Sequence, residues 1–284
     1  MRVSISLSDY PAEDIRGRLG ELARAADEAG VDTIWLPDHL IQANPWSRPE
    51  AEILETYTTL GYIAAVTSRV RLGAMVTPVS YRFPAAVVKA VTTVDVLSGG
   101  RAWFGIGAGY SEDEATRMGL PFPAVSTRFE QLDEALRIAL QMWSGDETTF
   151  DGAHYQLTHP INSPQSVQRP HPPILIGGVG EKKTFRLVAK YADACNLSDK
   201  PDQGATIRRK LSILSQHCDT VGRPFDAIEK TVSTRFIEGE SPEDFTARAE
   251  VLRSYGCDHI VLFSVWTVEA LQALGKLIAA VTDV

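Results

Sequence analysis

Short apolar runs rich in β-branched residues alternate with longer segments of helical periodicity along most of the chain. The apolar runs predict strands over 3–7, 33–36, 70–76, 101–106, 174–176, 194–197, 230–236 and 259–263. The periodic segments predict helices over 15–29, 54–67, 84–97, 128–143, 184–191, 207–221, 242–255 and 268–281. Because parallel strands need crossovers of this kind, eight strand–helix units predict an α/β protein with a (β/α)8 TIM barrel.

Three connections are longer than the usual loops of a compact domain. They follow strand two (37–53), follow strand four (107–127) and precede strand five (144–173). The last one carries a predicted hairpin, with short strands over 148–150 and 155–157 around an Asp151-Gly152 turn. No internal repeat or break in composition divides the chain, so we expect residues 1–284 to form a single barrel domain with insertions.

The amino-acid composition limits the kinds of molecule that this protein is expected to bind. The chain of 284 residues carries 28 basic and 36 acidic side chains without a dense basic stripe, so nucleic acid is not an expected partner. Its three cysteines are far apart and form no CxxC pair, which favours a reducing compartment. The first residues lack the blocks of a signal peptide, and no apolar run approaches about 18 residues. We therefore expect a cytoplasmic protein that acts on a small molecule and does not enter a membrane.

The segment Pro37-Asp38-His39 follows strand two directly, at the end of the barrel where TIM-barrel enzymes bind ligands. A histidine there can exchange a proton near neutral pH, and the adjacent carboxylate can orient it or bind the edge of a cofactor. The alternative is an aspartate that caps a turn beside a partly exposed histidine. The other histidines show no HxxxH or HExxH spacing, so a metal site is not expected.

Two glycine-rich segments also follow strands. Gly105, Gly107 and Gly109 form a GxGxG run after strand four, which would let a planar ring approach the main chain or would simply permit a tight turn. The run Gly177-Gly178-Val179-Gly180 leads into a helix predicted to begin near Glu181. Exposed N–H groups at such a turn form an anion cradle, for which phosphate is the natural occupant. The alternative is a glycine-rich turn without a ligand.

Further candidates lie at strand ends and in the long loops. Thr77 ends strand three, where its hydroxyl would bind a ligand or cap the chain reversal. Exposed aromatic side chains in such positions would line an apolar substrate pocket, although core packing explains any one of them equally well. The four aromatic candidates are Trp46, Tyr81, Tyr110 and Trp266.

Four segments together resemble a known family. They are LPDHL at 36–40, VRLGAMVTPVSYRFPA at 70–85, LSGGRAWFGIGAGYSEDE at 97–114 and RPHPPILIGGVGEKKTFRLVAKYADACNL at 169–197. They resemble the luciferase-like monooxygenase superfamily, in its branch of coenzyme F420-dependent oxidoreductases, over essentially the whole chain. The resemblance implies a (β/α)8 barrel with the deazaflavin lying across its carboxyl end. Homodimers are common in that family.

The resemblance also implies roles for individual residues. It places a non-proline cis peptide at Ala74–Met75, in a bulge of strand three that presses on the cofactor ring. It matches His39 to a residue that transfers a proton in the sugar-phosphate dehydrogenases of the branch. Three further elements match positions that contact the ring, its tail or its phosphate, namely Asp38, Thr77 and the Gly177–Gly180 turn, and we count Gly107 and Gly109 with them.

The chain departs from the sugar-phosphate enzymes in two respects. Those enzymes carry a Glu directly after the GxGxG run, as a second acid or base, whereas this sequence has Tyr110. They also hold the substrate phosphate with basic residues, for which no equivalent set is evident here. A sugar phosphate is therefore not the expected substrate, and the aromatic loops favour a more apolar compound.

These features predict hydride transfer between F420 and an organic substrate, with His39 moving the accompanying proton. One alternative keeps the fold but binds FMN and reacts with oxygen as a monooxygenase, because both cofactors share a tricyclic ring, a ribityl chain and a phosphate. An alternative of another class is a barrel that binds a cofactor or ligand without catalysis. A cofactor-free phosphate-sugar lyase is disfavoured because no Lys lies at an obvious strand end.

Overall fold

The computed structural model describes residues 1–10, 13–43, 47–265 and 267–282. Its strands are β1 (Arg2–Ser6), β2 (Thr33–Leu36), β3 (Arg71–Ala74), β4 (Thr77–Pro78), β5 (Ala102–Gly107), β6 (Phe150–Asp151), β7 (Gln156–Leu157), β8 (Ile174–Ile176), β9 (Ala194–Ser198), β10 (Glu229–Arg235) and β11 (His259–Phe263). Parallel pairing runs in the order β3-β2-β1-β11-β10-β9-β8-β5, and β5 pairs with β3 to close a barrel of eight strands. The predicted TIM barrel is confirmed.

Helices cover the outside of the barrel. They are α1 (Ile15–Glu28), α2 (Thr56–Val66), α3 (Pro84–Ser98), α4 (Glu112–Arg117), α5 (Val125–Ser144), α6 (Thr184–Tyr191), α7 (Ala205–Val221), α8 (Pro242–Ser254) and α9 (Val268–Thr282). The sequence explains where the helices begin and end. Helix α3, for example, begins with Pro84, and Gly99, which follows its last residue, has a φ of 72° that suits glycine. None of the helices described here is both long and apolar enough to cross a membrane.

Side chains alternate between the two faces of the strands and build two layers of core. Ile34, Leu72 and Phe104 belong to the large layer between strands and helices. Trp35 and Trp103 point into the barrel instead, with their ring centroids 5.5 Å apart. The two indoles pack there with Leu175, Ala194 and Val261, with Met75 and Val76 against them. The interior below the carboxyl ends is therefore filled, and any ligand must bind above it.

The strand predicted over 70–76 ends at Ala74, and a second short strand, β4, follows at Thr77–Pro78. The cis peptide predicted at Ala74–Met75 is also misplaced. The cis bond joins Met75 to Val76, one residue later than predicted. Ala74 still pairs with Leu36, and the Met75 N–H still donates to the Leu36 carbonyl at 2.8 Å, so the chain leaves the β2 ladder only after Met75. It resumes pairing as β4, against β5 alone.

Other boundaries differ where loops are long. Helix α6 begins at Thr184, as the periodic segment 184–191 predicts, rather than near Glu181, where the glycine run placed its start; a turn covers 181–183. The hairpin strands β6 and β7 have two residues each instead of the predicted three: β6 extends one residue further toward the turn than predicted, and β7 begins one residue later. Helix α4 was not predicted, although its signal is in the sequence: the Ser111 hydroxyl accepts from the Glu114 N–H at 3.4 Å, in the S-x-x-E pattern of a capping box.

Candidate active site

A cavity of about 600 Å³ opens at the carboxyl ends of the strands. Its walls combine bare backbone, apolar side chains and a few polar groups, as in many small-molecule sites. The lining residues are Pro37, His39, Met75, Val76, Pro78, Tyr81, Gly107–Ser111, Val125, Phe129, Gly177–Gly180, Thr184, Asn196 and Ser198. A second cavity, of about 590 Å³, lies beside α1 and the start of α9, but it is lined by none of the candidate residues.

The floor of the cavity is the bulge at Met75–Val76, and glycines on two neighbouring strands make room for it. A Cβ on Gly105 would overlap the Ala74 carbonyl oxygen. A Cβ on Gly107 would lie 2.9 Å from Val76 Cγ2, and one on Gly177 would lie 2.6 Å from the same atom. The bulge itself thus requires glycine at these positions, whether or not a ring approaches the main chain.

Asp38 is buried and does not line the cavity. Its side chain is fully buried, and Oδ2 accepts from Arg82 Nη1 at 2.5 Å. Arg82 also pairs with Glu55 at 2.6 Å. Burial raises the pKa of Asp38, and the neighbouring guanidinium opposes that rise. Asp38 Oδ1 has no hydrogen bond of normal geometry among the described residues, although the Thr77 hydroxyl lies near enough to lower the pKa of this carboxyl.

The other predicted contact residues of this region are also covered. Ala74 and Thr77 are each 1% exposed and do not line the cavity, whereas Met75 does. The Thr77 hydroxyl lies 2.7 Å from the Tyr57 hydroxyl. Of the four aromatic candidates, Tyr81 and Tyr110 line the cavity, while Trp46 and Trp266 lie outside the described residues.

His39 lies at the cavity wall between a carboxylate and a phenol. Its Nδ1 is 2.5 Å from Glu114 Oε2, and its Nε2 is 3.1 Å from the Tyr110 hydroxyl. The other oxygen of Glu114 accepts from the Leu40 N–H at 2.5 Å. The Glu114 side chain is only 1% exposed, so α4 delivers a buried carboxylate to the back of the imidazole.

Burial and hydrogen bonds set the charge states of the side chains around His39. Burial opposes ionisation of Glu114, but hydrogen bonds from His39, the Leu40 N–H and Tyr81 hold the pKa of its carboxyl below the ordinary value. Burial and the nearby Glu114 carboxylate raise the pKa values of both Tyr81 and Tyr110. At neutral pH the cluster therefore contains one carboxylate and two protonated phenols around the imidazole.

The predicted anion cradle lines the same cavity. Gly178 has a φ of 100°, which only glycine adopts readily, and it turns the chain between β8 and α6. The Val179 carbonyl accepts from Lys210 Nζ at 2.7 Å and is held by α7. Within the described part of the chain, the N–H groups of Gly178, Val179 and Gly180 donate to no other residue. Three main-chain donors are therefore available close to the start of a helix, where an anion is favoured.

Glu114 and Arg82 are the site residues that the motifs did not single out. The signal for Glu114 was the capping pattern that predicts a helix start within the insertion. Arg82 follows strand three closely, but nothing in its local sequence links it to Asp38. Phe129, Asn196 and Ser198 also line the cavity, each from an element that the hydrophobic pattern had located.

The sequence of this chain is similar to those of known proteins. The family model described as luciferase-like monooxygenase matches residues 5–276. The chain belongs to this family. A relative is the F420-dependent glucose-6-phosphate dehydrogenase of Kineococcus radiotolerans, 32% identical over 235 residues, which are 80% of this chain and 65% of that protein. The match thus spans just under two thirds of the length of that relative. The resemblance inferred from the four sequence segments is confirmed.

Solved structures extend the comparison to the fold. An F420-dependent secondary alcohol dehydrogenase in complex with an F420–acetone adduct has a TM-score of 0.82 at 18% identity, covering 99% of this chain and 98% of that one. The monooxygenase RslO1 from Streptomyces bottropensis has a TM-score of 0.79 at 19% identity, covering 100% and 98%. At these identities the likeness shows the TIM-barrel fold alone, and members of both reaction types share it.

Proposed function

We propose that this protein transfers a hydride between coenzyme F420 and a small organic substrate at the carboxyl end of the barrel. The observation that carries the proposal is that the N–H groups of Gly178–Gly180, which donate to no other described residue, line the same cavity as His39, whose Nδ1 pairs with Glu114. An anion site and a proton-transfer group are thereby separated by an apolar floor at Met75–Val76. The family relative named as an F420-dependent dehydrogenase supports the choice of cofactor.

The residues present fit a deazaflavin. Gly178, Val179 and Gly180 would hold its phosphate through their N–H groups, and Met75 and Val76 would support the flat ring from below. Asp38 follows β2 directly, and its buried Oδ1, which has no hydrogen-bond partner of normal geometry among the described residues, would be an acceptor for a polar group of the cofactor. When bound, the cofactor supplies the carbon that accepts or donates the hydride.

The protein would then position the substrate and handle the proton. His39 faces the cavity at the end of β2 and would accept or return the substrate proton, as a general base or acid does. Tyr81, Tyr110 and Phe129 would exclude water from the reacting carbon. Hydride and proton leaving together suit an alcohol and its carbonyl product.

The lining of the cavity does not favour a phosphorylated substrate. Among the described lining residues there is no Lys or Arg, the side chains that usually bind a phosphate ester. The Gly177–Gly180 turn would be taken by the cofactor. We therefore propose a neutral, largely apolar substrate, in contrast to the sugar phosphate in the name of the relative.

FMN-dependent oxygenation is the second candidate, because the cradle fits either phosphate and a monooxygenase shares the fold. The test is a titration of the purified protein with F420 and with FMN, followed by anaerobic incubation of the bound F420 with a panel of alcohols. We expect tighter binding of F420 and loss of its oxidised absorbance with at least one alcohol. Preference for FMN with oxygen-dependent product would favour the monooxygenase, and binding without any turnover would favour a non-catalytic barrel.

A further inference from the structure

The carboxylate of Glu114 lies behind the imidazole of His39, on the Nδ1 side of the ring. Its two oxygens each lie 2.5 Å from a nitrogen, one from Nδ1 of His39 and one from the main-chain nitrogen of Leu40. The Leu40 N–H is a fixed donor, and it holds the carboxylate in one orientation. The remaining oxygen therefore points at Nδ1.

This arrangement determines which ring nitrogen carries the hydrogen. An ionised carboxylate only accepts hydrogen bonds, so at 2.5 Å the neutral ring must carry its hydrogen on Nδ1. Nε2 then has a lone pair, and the Tyr110 hydroxyl at 3.1 Å can donate to it. The charged and titratable groups facing the ring are Glu114 from α4, Tyr110 from the loop after β5 and, through Glu114, Tyr81.

We propose that Glu114 is a positioning residue, which fixes the His39 tautomer so that the Nε2 lone pair faces the cavity as the base of the reaction. This inference rests on the proposed hydride transfer. In alcohol oxidation the substrate O–H bond would break and its proton would go to Nε2, the C=O bond would form, and the hydride lost by the carbon would be accepted by the bound cofactor. Glu114 stays ionised and stabilises the imidazolium, as an oriented carboxylate does behind a catalytic histidine.

Tyr110 indicates where that substrate hydroxyl binds. The phenol is 75% exposed, yet its hydroxyl reaches Nε2 from the open side of the cavity. Because Nε2 has one lone pair, a substrate hydroxyl that transfers its proton must take the place of the Tyr110 hydroxyl. In this chain, therefore, the carboxylate acts from α4 on Nδ1, and the Tyr110 phenol marks the position of the substrate hydroxyl at Nε2.

The tautomer can be read without cofactor or substrate. Long-range ¹H–¹⁵N spectra of the full chain at about pH 8 would report the ring nitrogens of its six histidines, with His39 assigned from a His39→Gln variant. We expect His39 to have a protonated Nδ1 and a bare Nε2. In Glu114→Gln the amide oxygen keeps the Leu40 N–H, so the amide NH₂ faces Nδ1 as a donor, and the tautomer should reverse to Nε2–H.

Controls separate positioning from folding. Glu112→Gln alters an exposed glutamate on the same helix and should leave the His39 spectrum unchanged. Glu114→Asp keeps the negative charge with a shorter side chain and should restore the Nδ1–H tautomer in part. In the turnover assay, Glu114→Gln should lower kcat by about 10²-fold or more, since the wrong tautomer cannot accept the proton, with KM changed much less.

Either of two results would overturn the inference: a wild-type His39 with its hydrogen on Nε2, or a folded Glu114→Gln protein that keeps the Nδ1–H tautomer and full turnover. If Glu114→Gln does not fold, the wild-type and Glu114→Asp spectra decide the question. A protein that shows the expected tautomers but reduces no F420 would contradict hydride transfer and leave the positioning role of Glu114 intact.

Discussion

Two histidines, one at each end of the barrel, make nearly the same contacts. At the amino end, His259 has Nδ1 2.5 Å from Glu229 and Nε2 2.5 Å from the Ser4 hydroxyl. At the carboxyl end, His39 has a glutamate on Nδ1 and a hydroxyl on Nε2 in the same order. Ser4 is fully buried, whereas Tyr110 is 75% exposed. Both histidines pair with a glutamate, so the pair alone does not distinguish them. Access to Nε2 separates a structural histidine from one that is able to exchange a proton.

The same contrast holds for the other charged groups at the two ends. At the amino end, both oxygens of Asp27 accept main-chain N–H groups just before β3. The Arg101 side chain donates to four main-chain carbonyls and one hydroxyl. At the carboxyl end, Asp38 Oδ1 and the N–H groups of Gly178, Val179 and Gly180 make no hydrogen bond of normal geometry to any residue that the structure describes. One end uses its polar atoms to fix the strands, and the other leaves them for a ligand.

The largest expected effect is on turnover. His39→Ala should lower kcat by about 10²–10⁴-fold, because it removes the group that exchanges the substrate proton. Binding of F420 should change little, since the cradle at Gly178 is untouched. Steady-state kinetics with a cofactor titration would check this. Unchanged turnover would show that the cavity-facing histidine moves no proton.

The corresponding change at the amino end should affect stability instead. His259→Ala leaves Glu229 and Ser4 without their buried partner, so we expect the free energy of unfolding to fall by about 3 kcal/mol. Turnover per folded molecule and F420 affinity should be retained. Urea unfolding and active-site titration measure the two quantities. A stable variant with impaired turnover would reverse the roles of the two ends.

Lowering the pH should reduce the free energy of unfolding through protonation of Asp27 at the amino end of the barrel. Burial opposes its ionisation, but the Val70, Ser68 and Arg69 N–H groups hold its pKa below the ordinary value of 3.8. Asp27→Asn should therefore cost about 2 kcal/mol of unfolding free energy near pH 7. A carboxylate with a lowered pKa stabilises the fold above its ordinary pKa, and this contribution is lost as the pH falls through the folded-state pKa. In urea unfolding the gap between the proteins should be constant above about pH 4 and narrow below it. A gap that widened in acid would contradict the assignment.

The smallest expected effect is on the affinity for F420. It tests whether the Gly178 turn binds an anion, as distinct from the strain that any side chain causes at a positive φ. Gly178→Ala places a side chain at a φ of 100°, which costs about 1 kcal/mol, and the shifted N–H groups should weaken F420 binding about fivefold. Gly222→Ala is the matched control, because Gly222 also has a positive φ, 69°, but ends α7 away from the cavity. Isothermal titration should show weaker binding only for the first variant. Equal affinities for the two would argue against an anion site at 178.

The barrel could be predicted because its signals are local. Strands, helices and the positions of the insertions follow from hydrophobic period, and the location of His39 at the end of a strand follows from the order of elements. The Glu114 contact could not be predicted, since it joins residues 75 positions apart and depends on how an insertion folds. Ser4 and His259 are 255 positions apart, and nothing near either residue indicates the other.

The position of the cis peptide and the burial of Asp38 could not be predicted from the sequence. The cis bond was misplaced by one residue because a sequence pattern does not show that Ala74 and the Met75 N–H remain in the β2 ladder. Burial of Asp38 could not be read from its sequence neighbours either, because its partner Arg82 lies 44 positions away. Contacts within the barrel mouth are thus set by tertiary packing, which a single sequence does not record.

The bulge at Val76 has a consequence for how this barrel can diverge. Val76 fills the space that side chains at 107 and 177 would need, on two different strands. The three positions therefore share one fixed volume, and a methyl group gained at 177 has to be matched by atoms lost at 76. Evolution or a designer can reshape the cavity floor only by exchanging bulk between these strands, in paired steps rather than one residue at a time.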